Sequence, residues 1–271
     1  MAHWTLDQIP WHAFDASKVD PDLLKLAKAA ALVEYNGGDY ATYLNNVFHD
    51  DDGFRAVADE WSLEEVQHGA ALARWAKLAD PSFDFDAAFQ RFLDGYRIPL
   101  DVNASVRGSR SGELVARCIV ETGTSSYYTA LAEAAQEPVF KAICRKIAAD
   151  ELRHYKLFYT HLNRYLEREG LGAWGRFKVA MSRITESEDD ELAYAYYAAN
   201  HGDEAYERKR FSSAYAKRAY AYYQPPHIQR GIAMVLKAAG LNPQGPLHKP
   251  LSALAIWFMR RRVAKLSAAG A

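Results

Sequence analysis

The stretch DEWSLEEVQHGAALARW, residues 59–75, places Glu64, Glu65 and His68 among apolar residues that follow a helical period. Trp61, Glu65, His68, Leu72 and Trp75 recur at intervals of three and four, so they share one face of a helix. A face with two tryptophans and a leucine is expected to be buried. Because burying an ionised group without a partner is costly, this face predicts a partner for Glu65 and His68.

A second segment repeats the arrangement. Along residues 138–169 one helical face carries Phe140, Ile143, Ile147, Glu151, His154, Phe158 and Leu162. A glutamate thus precedes a histidine by three residues on an apolar face twice in the chain.

Two further acids lie on apolar stripes at matched distances. Glu34 precedes Glu65 by 31 residues, and Glu121 precedes Glu151 by 30. The half-motif, a glutamate followed about 30 residues later by Glu-x-x-His, therefore occurs twice, and its members repeat after 86 or 87 residues. A single Glu-x-x-His is common in helical proteins and is usually a solvated pair, whereas two with matched upstream glutamates indicate one site. The alternative is an ordinary helical bundle that satisfies these groups with salt bridges.

Electrostatics favours metal over salt bridges. Four buried carboxylates would repel one another, and two divalent cations would cancel their charge. Carboxylate and imidazole ligands suit two iron ions, with manganese as the alternative for one or both, and the lack of thiolates argues against structural zinc. Glutamates from two helices with Glu-x-x-His from two others form a dinuclear pattern. The predicted ligands are Glu34, Glu65, His68, Glu121, Glu151 and His154.

The whole chain follows a helical pattern, which predicts an all-α fold. Asp20 and Pro21 are typical of a helix start, and that helix runs to about residue 48. The pair Gly37-Gly38 within it indicates a kink, a break or a close backbone approach. Further helices are expected at about 53–77, 86–96, 113–135 and 138–169, with a loop at 101–112. The core is thus about residues 20–169, and a helical extension covers about residues 176–267.

Composition bounds the function. A chain of 271 residues is expected to form one domain, 1–271, and its 33 Lys and Arg nearly cancel its 34 Asp and Glu, so a nucleic-acid partner is not expected. The apolar run Ala253–Met259 is far shorter than the ~20 residues that span a bilayer. These features predict a cytoplasmic protein without a membrane span.

The two cysteines are expected to be packing residues. Cys118 and Cys144 form no CxxC pair. If Glu121 and Glu151 are level on antiparallel helices, the cysteines lie roughly 15 Å apart at 1.5 Å per residue, too far for a disulfide.

Two stretches resemble a known family. ICRKIAADELRHYKLF, residues 143–158, resembles the fourth-helix signature of the acyl-[acyl-carrier-protein] desaturases of the ferritin-like superfamily, and DEWSLEEVQHG, residues 59–69, is similar to their second-helix signature. The resemblance covers roughly residues 30–165. It implies a ferritin-like four-helix bundle core with additional C-terminal helices.

The same resemblance implies an activity. It is that of an oxygen-activating di-iron oxidoreductase, most like a fatty acyl desaturase acting on carrier-protein thioesters. Related proteins with these ligands instead oxidise other small apolar substrates, or bind and oxidise iron as ferritins do. The family pattern also singles out Thr124, three residues after Glu121, as a group for oxygen or proton handling; its alternative is a hydroxyl bonded to its own helix.

Three more residues are predicted to support the ligands. Glu64 and Asp150 each come directly before a predicted ligand, Glu65 or Glu151. Each is therefore positioned to reach the histidine of the other Glu-x-x-His motif and to orient its imidazole. The alternative is that both side chains are exposed on the surface. Trp61 matches the tryptophan of the family pattern, or is an ordinary core residue.

The resemblance implies partners too. They are an external electron donor such as ferredoxin and an acyl carrier protein or other acyl thioester, with the chain a monomer or homodimer. Acidic carrier proteins need a basic surface. Candidates are Arg208, Lys209, Arg210, Lys217 and Arg218, or Arg260 to Arg262, although solvated helix faces are the simpler interpretation of either group.

Overall fold

The computed structural model describes residues 4–186 and 190–268, and within these ranges the chain is helical with no β-strand. Short 3-10 helices lie at Leu6–Gln8, Trp11–Ala13 and Ala16–Lys18. The α-helices of the described ranges are α1 Pro21–Tyr35, α2 Gly37–Val47, α3 Asp52–Ala79, α4 Phe85–Gly95, α5 Arg110–Ala134, α6 Pro138–Glu169, α7 Ala173–Glu186, α8 Asp190–Asn200, α9 Arg208–Ala221, α10 Pro225–Ala238 and α11 His248–Ala268. The predicted all-α class is confirmed.

Local sequence explains where the long helices begin and end. The Asp20 carboxylate accepts the backbone N–H groups of Asp22 and Leu23, and Pro21 occupies the first helical position, as predicted. Before α6, the buried Glu137 carboxylate caps the helix in the same way. Gly170 ends α6 with a φ of +67°, a conformation that glycine adopts without steric cost.

The first predicted helix is not continuous. α1 ends at Tyr35 and α2 begins at Gly37, with Asn36 between them. A Cβ on Gly37 would lie 2.7 Å from the Glu65 Cβ and 3.0 Å from the Ser62 carbonyl oxygen, whereas one on Gly38 would meet nothing within 4 Å. The break and the close backbone approach both occur, and Gly37 is the residue that permits the approach.

Pairs of contacts show that neighbouring core helices run antiparallel, because the residue number rises on one helix as it falls on the other. These pairs are Ser111 with Glu169 and Thr124 with Glu151 between α5 and α6, Trp75 with Glu137 and Glu64 with His154 between α3 and α6, and Lys28 with Asp80 and Glu34 with His68 between α1 and α3. The short connection between α5 and α6, residues 135–137, favours this arrangement for that pair.

Two buried apolar clusters lie at opposite ends of the core helices. One contains Trp75 of α3, Leu131 of α5 and Phe140 of α6, together with residues of α1 and α8. The other contains Phe54 of α3 and Phe158 of α6, together with residues of α2, α5 and α10. Since α3, α5 and α6 each contribute to both clusters, the middle turns of these helices lie between two apolar regions.

Other boundaries differ from the prediction by a few residues. α3 extends to Asp52–Ala79, and α5 begins at Arg110 rather than Glu113, because the Ser109 hydroxyl accepts the Gly112 N–H and starts the helix inside the predicted loop. α7 begins at Ala173, slightly before the expected extension.

The cysteine prediction is confirmed. Cys118 and Cys144 are buried, free thiols in different apolar clusters. No helix of the described ranges has the length and apolar character needed to cross a membrane.

Candidate metal centre

The six predicted ligands meet in the middle of the core, between the two apolar clusters. All six residues are buried, with 7% exposure or less. Glu34 comes from the last turn of α1, Glu65 and His68 from α3, Glu121 from α5, and Glu151 and His154 from α6.

These side chains form two overlapping groups. Glu34, Glu65, His68 and Glu151 make one group, and Glu65, Glu121, Glu151 and His154 make the other; within each group the ligand atoms all lie within 4.8 Å of one another. Glu65 and Glu151 belong to both groups. The geometry therefore distinguishes two shared carboxylates from the carboxylates of Glu34 and Glu121, which belong to one group each.

The first group centres on His68. Its Nδ1 lies 3.3 Å from the Glu151 carboxylate, 3.5 Å from that of Glu65 and 3.7 Å from that of Glu34. Its Nε2 lies on the opposite side of the ring, 3.1 Å from Asp150 Oδ2. Nδ1 is therefore the atom that faces the centre.

The second group has the same orientation around His154. The Nδ1 atom of this histidine lies 3.0 Å from Glu65 Oε1 and 3.8 Å from the carboxylates of Glu121 and Glu151. Its Nε2 lies 2.8 Å from Glu64 Oε2. Both imidazoles thus turn Nδ1 inward and Nε2 toward a carboxylate outside the group.

The two outer carboxylates cross between helices, as their spacing predicts. Asp150 of α6 contacts His68 of α3, and Glu64 of α3 contacts His154 of α6. The guanidinium of Arg153 joins them, at 2.5 Å from Asp150 Oδ1 and 3.0 Å from Glu64 Oε2. Because these carboxylates accept Nε2–H, Nδ1 is the nitrogen of each imidazole that is positioned to bind a cation.

The N-terminal segment supports the first group. The indole of Trp4 donates its Nε1–H to Asp150 Oδ2 at 2.7 Å, the same oxygen that contacts His68. The Trp4 and His68 rings are stacked, with an interplanar angle of 10°. Trp4 therefore covers the outer face of His68.

Two hydroxyl groups reach the acids of the centre. Tyr128 of α5 donates to Glu34 Oε1 at 2.5 Å. The Thr124 hydroxyl donates to Glu151 Oε2 at 2.7 Å, and it lies 3.2 Å from the Val120 carbonyl of its own helix. The closest partner of Thr124 is thus a shared carboxylate of α6, where its spacing predicted Glu121.

The pKa shifts separate the four acids into two kinds. Burial raises the pKa of Glu34 and of Glu121 well above the ordinary value, and the neighbouring shared carboxylates raise it further. Burial acts in the same direction on Glu65 and Glu151, but contacts with the two imidazoles outweigh it and lower the pKa of Glu65 to about 2 and that of Glu151 well below its ordinary value.

The histidines show the reciprocal effect. Burial alone would lower the pKa of His68, but the contacts with Asp150 and Glu151 raise that pKa well above its ordinary value. For His154, contacts with Glu151 and Glu64 likewise outweigh burial and raise the pKa. Without a cation, this arrangement therefore favours a proton on each inward-facing Nδ1, and a cation bound there would replace that proton.

The polar atoms that face the centre fit a metal pair. Nδ1 of both histidines, and Oε1 of Glu65, Glu121 and Glu151, are buried and have no hydrogen-bond partner, because the neighbouring charged atoms lie within ion-pair distance but outside hydrogen-bond geometry. Orphaned buried polar atoms are rare in folded proteins. Five of them around one point indicate a set of lone pairs arranged for cations.

Close backbone contact brings Glu34 to this point. A Cβ on Gly69, the residue after His68, would lie 2.5 Å from the Tyr35 backbone nitrogen. Gly69 and Gly37 together let the junction of α1 and α2 lie directly on α3. The last turn of α1 can then place the Glu34 carboxylate beside His68.

Trp61 has the position that its spacing predicts. Its ring lies edge-on to His154, with centroids 6.4 Å apart, and packs on Phe158. Its indole N–H is buried without a partner. It is therefore both a core residue and a neighbour of a predicted ligand.

Sequence reasoning missed three contributors to the centre: Arg153, Tyr128 and Trp4. Arg153 had a visible signal, because it follows Asp150 by three residues on α6. Tyr128 lies seven residues after Glu121, hence on the same face of α5, but its spacing does not reveal Glu34 as its partner. Trp4 had no signal, since 146 residues separate it from Asp150.

Comparison with known proteins identifies no relative: no protein-family model and no curated protein matches this chain.

Proposed function

We propose that this protein is an oxygen-activating di-iron oxidoreductase with a ferritin-like helical core, most like a fatty acyl desaturase. The observation that carries the proposal is the pair of overlapping four-residue groups that share Glu65 and Glu151. Two adjacent cation positions with common carboxylates are the arrangement expected of a dinuclear carboxylate centre.

Charge and donor type support iron. As ionised ligands the four glutamates would carry four negative charges, which two divalent cations would neutralise. Glu34 and His68 would hold one iron, Glu121 and His154 the other, and Glu65 and Glu151 would contact both. No thiol takes part, which favours iron over structural zinc, with manganese the closest alternative.

When bound, two iron ions would supply the electrons that reduce oxygen and the oxidising power to attack a C–H bond. The surrounding residues keep the ligands oriented. Asp150 and Glu64 accept the Nε2–H of the two imidazoles and so hold each Nδ1 toward the centre. Arg153 offsets the charge of both carboxylates.

Thr124 is the proposed proton-handling group. Its hydroxyl is bonded to Glu151 and half-buried, and Gly123 beside it is exposed. The hydroxyl can therefore exchange its proton with solvent and pass it to the side of the centre where Glu151 lies. Tyr128, by contrast, is buried, and burial together with the Glu34 charge raises its pKa well above the ordinary value, so it remains a hydrogen-bond donor.

An apolar substrate suits the surroundings. The centre lies between two apolar clusters, which exclude water from reactive groups. The similarity of residues 59–69 and 143–158 to desaturase signatures favours a long acyl chain on a carrier-protein thioester, with electrons from an external donor such as ferredoxin.

The first test is iron content. Purified protein is loaded anaerobically with ferrous iron, desalted and analysed for metal, with Glu151→Ala as the ligand variant and Glu60→Ala, an exposed acid of the same helix as Glu65, as the matched control. The proposal expects two irons per chain in the wild type and in the control, and neither iron in Glu151→Ala. One zinc or no metal in the wild type would overturn it.

The second test is the reaction. The iron-loaded protein is given an acyl thioester, oxygen and reduced ferredoxin, and the acyl product is weighed by mass spectrometry. Loss of two hydrogens from the acyl chain supports desaturation, and gain of one oxygen supports the related oxygenase reaction. Oxidation of iron without any acyl product would instead assign the centre to iron binding and oxidation.

A further inference from the structure

The near-zero net charge hides a strong separation of charge along the chain. Residues 208–271 contain twelve Lys and Arg and no Asp or Glu, whereas residues 1–207 contain all 34 acids and 21 Lys and Arg. The C-terminal part is therefore strongly basic, and the rest of the chain is acidic. Such a separation points to an acidic binding partner for the C-terminal part.

Part of this positive charge is used inside the molecule. Three arginines of α9 form ion pairs with acids elsewhere in the chain. Arg208 lies 3.5 Å from Asp190, Arg210 lies 2.6 Å from Glu204, and Arg218 lies 2.7 Å from Asp22. These arginines attach α9 to the acidic part of the chain. Lys209 and Lys217 of α9 lie outside these ion pairs, and a further group of cations lies on another helix.

That helix is α11, whose inner face packs on α9 and α10. Ser252 is buried on this inner face. On the outer face, three large apolar side chains are open to solvent: Leu254 is 58% exposed, Trp257 54% and Phe258 59%. Exposed apolar side chains so close together mark an interaction surface.

Basic groups lie beside these apolar side chains. Arg260, Arg261 and Lys265 are exposed, and among the described residues none of them pairs with a carboxylate. The Arg261 guanidinium lies over the Trp257 ring, 5.3 Å from its centroid. The α11 surface, defined as Leu254, Trp257, Phe258, Arg260, Arg261 and Lys265, thus combines aromatic and cationic groups without any acid.

An open apolar depression adjoins this surface. Its volume is about 650 Å³, and it is lined by Pro225, Ala253, Ile256, Trp257, Arg260 and Arg261. Four of its lining residues are apolar or aromatic, and two arginines stand among them. This combination suits an amphiphile with an apolar tail and an anionic head.

We infer that the α11 surface docks the protein on an anionic lipid bilayer, with the tryptophan, phenylalanine and leucine at the level of the headgroups and the three cations on lipid phosphates. Helices that lie on membranes carry this combination of aromatic anchors and Lys or Arg. Exposed leucine and phenylalanine do not suit a nucleic-acid backbone. A bilayer accepts both the apolar and the cationic groups at once.

This inference does not depend on the metal centre. It rests on α11, whereas the predicted ligands come from α1, α3, α5 and α6. A chain without iron would still dock, and an iron-loaded chain would not dock if the α11 surface were altered. The two proposals can therefore fail separately.

The test is flotation with vesicles. Full-length protein is mixed with vesicles of phosphatidylcholine alone or of phosphatidylcholine with about one-third phosphatidylglycerol, and the bound fraction is measured at low and high salt. Binding is expected to the anionic vesicles only, and high salt should weaken it. Binding to anionic vesicles should weaken roughly 100-fold in a triple variant that combines Arg260→Gln, Arg261→Gln and Lys265→Gln. Trp257→Ala with Phe258→Ala should weaken it roughly tenfold or more.

The chain provides matched controls. Trp174 of α7 is 67% exposed and has Lys178 over its ring, so Trp174→Ala removes an equally exposed aromatic side chain from another surface. Arg145→Gln removes an exposed arginine of α6. Both variants should float like the wild type. Because all substituted residues are exposed, the helical content by circular dichroism should match in every variant.

Several outcomes would overturn the inference. These are absence of flotation with anionic vesicles, equal flotation with neutral vesicles, and equal loss in the Trp174→Ala control. Light scattering tests for self-association. If the protein associates with itself in a salt-dependent way and the Arg and Lys substitutions abolish that association, the α11 surface binds the acidic part of a second copy instead. Binding of duplex DNA or of an acidic acyl carrier protein through the same residues, without vesicle binding, would assign it to that partner.

Discussion

The two halves of the candidate metal centre are built from repeated sequence but by different local structures. Glu121 lies in the middle of the uninterrupted helix α5. Glu34 lies in the last turn of α1, where the chain breaks at Asn36 and two glycines allow contact with α3. The same ligand pattern can therefore be produced by a continuous helix or by a helix end.

Their supports differ too. Glu34 receives a hydrogen bond from Tyr128, and His68 is covered by Trp4. Glu121 has an oxygen without a partner, and His154 is flanked by Trp61. The comparison shows that the ligands are repeated but their surroundings are not. The two proposed metal positions should consequently differ in affinity, and variants can measure that difference.

The largest effect is expected from the carboxylates that the halves share. Glu65→Ala should remove both ions, as should Glu151→Ala, since either residue serves both groups. Metal analysis after anaerobic loading, together with thermal melting with and without ferrous iron, checks this, because an ion that binds only the folded state raises the melting temperature. Two ions retained in either variant would contradict the sharing.

The next effect separates the halves. Glu34→Ala and Glu121→Ala should each lose one ion and retain the other more weakly, because each residue belongs to one group. Titration with ferrous iron should give two affinities in the wild type and one in each variant. Equal loss of both ions from Glu121→Ala would show that the halves do not bind independently.

A smaller effect is expected from the close backbone approach in the Glu34 half. Gly69→Ala would place a Cβ 2.5 to 2.7 Å from atoms of Tyr35, two of them backbone atoms, so either α1 or α3 must shift. Overpacking of this kind lowers the free energy of unfolding by about 1–3 kcal/mol. Urea unfolding measures the change, and iron affinity should fall in the Glu34 half alone.

The matched control for that variant is Gly38→Ala. A Cβ at Gly38 meets nothing within 4 Å, and the residue lies inside α2. The control should be as stable as the wild type or more stable by up to about 1 kcal/mol, since alanine favours a helix. Equal destabilisation of both variants would argue against the contact with Tyr35.

The smallest effect is expected from the carboxylates behind the histidines. Asp150→Asn and Glu64→Gln keep the shape of the side chain but remove the negative charge that holds the imidazole. Loss of such a support typically lowers metal affinity about 10- to 100-fold. Asp150→Asn should have the greater effect, because Asp150 also accepts the Trp4 indole. Equal effects in iron titrations would show that the N-terminal segment adds nothing to the first half.

Much of the fold was predictable because helix signals are local. Two helix starts are marked by an acid followed by proline, Asp20-Pro21 and Glu137-Pro138. In each, the carboxylate accepts backbone N–H groups no more than three residues away. The break at Asn36 was only indicated, because whether two glycines bend a helix or admit a neighbour depends on what packs against them. The start of α5 at Arg110 was missed because the Ser109 cap lies in a polar stretch that resembles a loop.

The sequence by itself determined the all-α class and the six candidate ligands, because the repeated Glu-x-x-His spacing and the matched glutamates are periodic along single helices. It also predicted the crossed contacts of Glu64 and Asp150 from their symmetric positions, with surface exposure as the alternative that the structure excludes. Only the tertiary structure decided which two carboxylates are shared, that Thr124 bonds to Glu151, and that Trp4 covers His68. Those contacts depend on the distance and rotation between helices remote in sequence, which no local periodicity encodes.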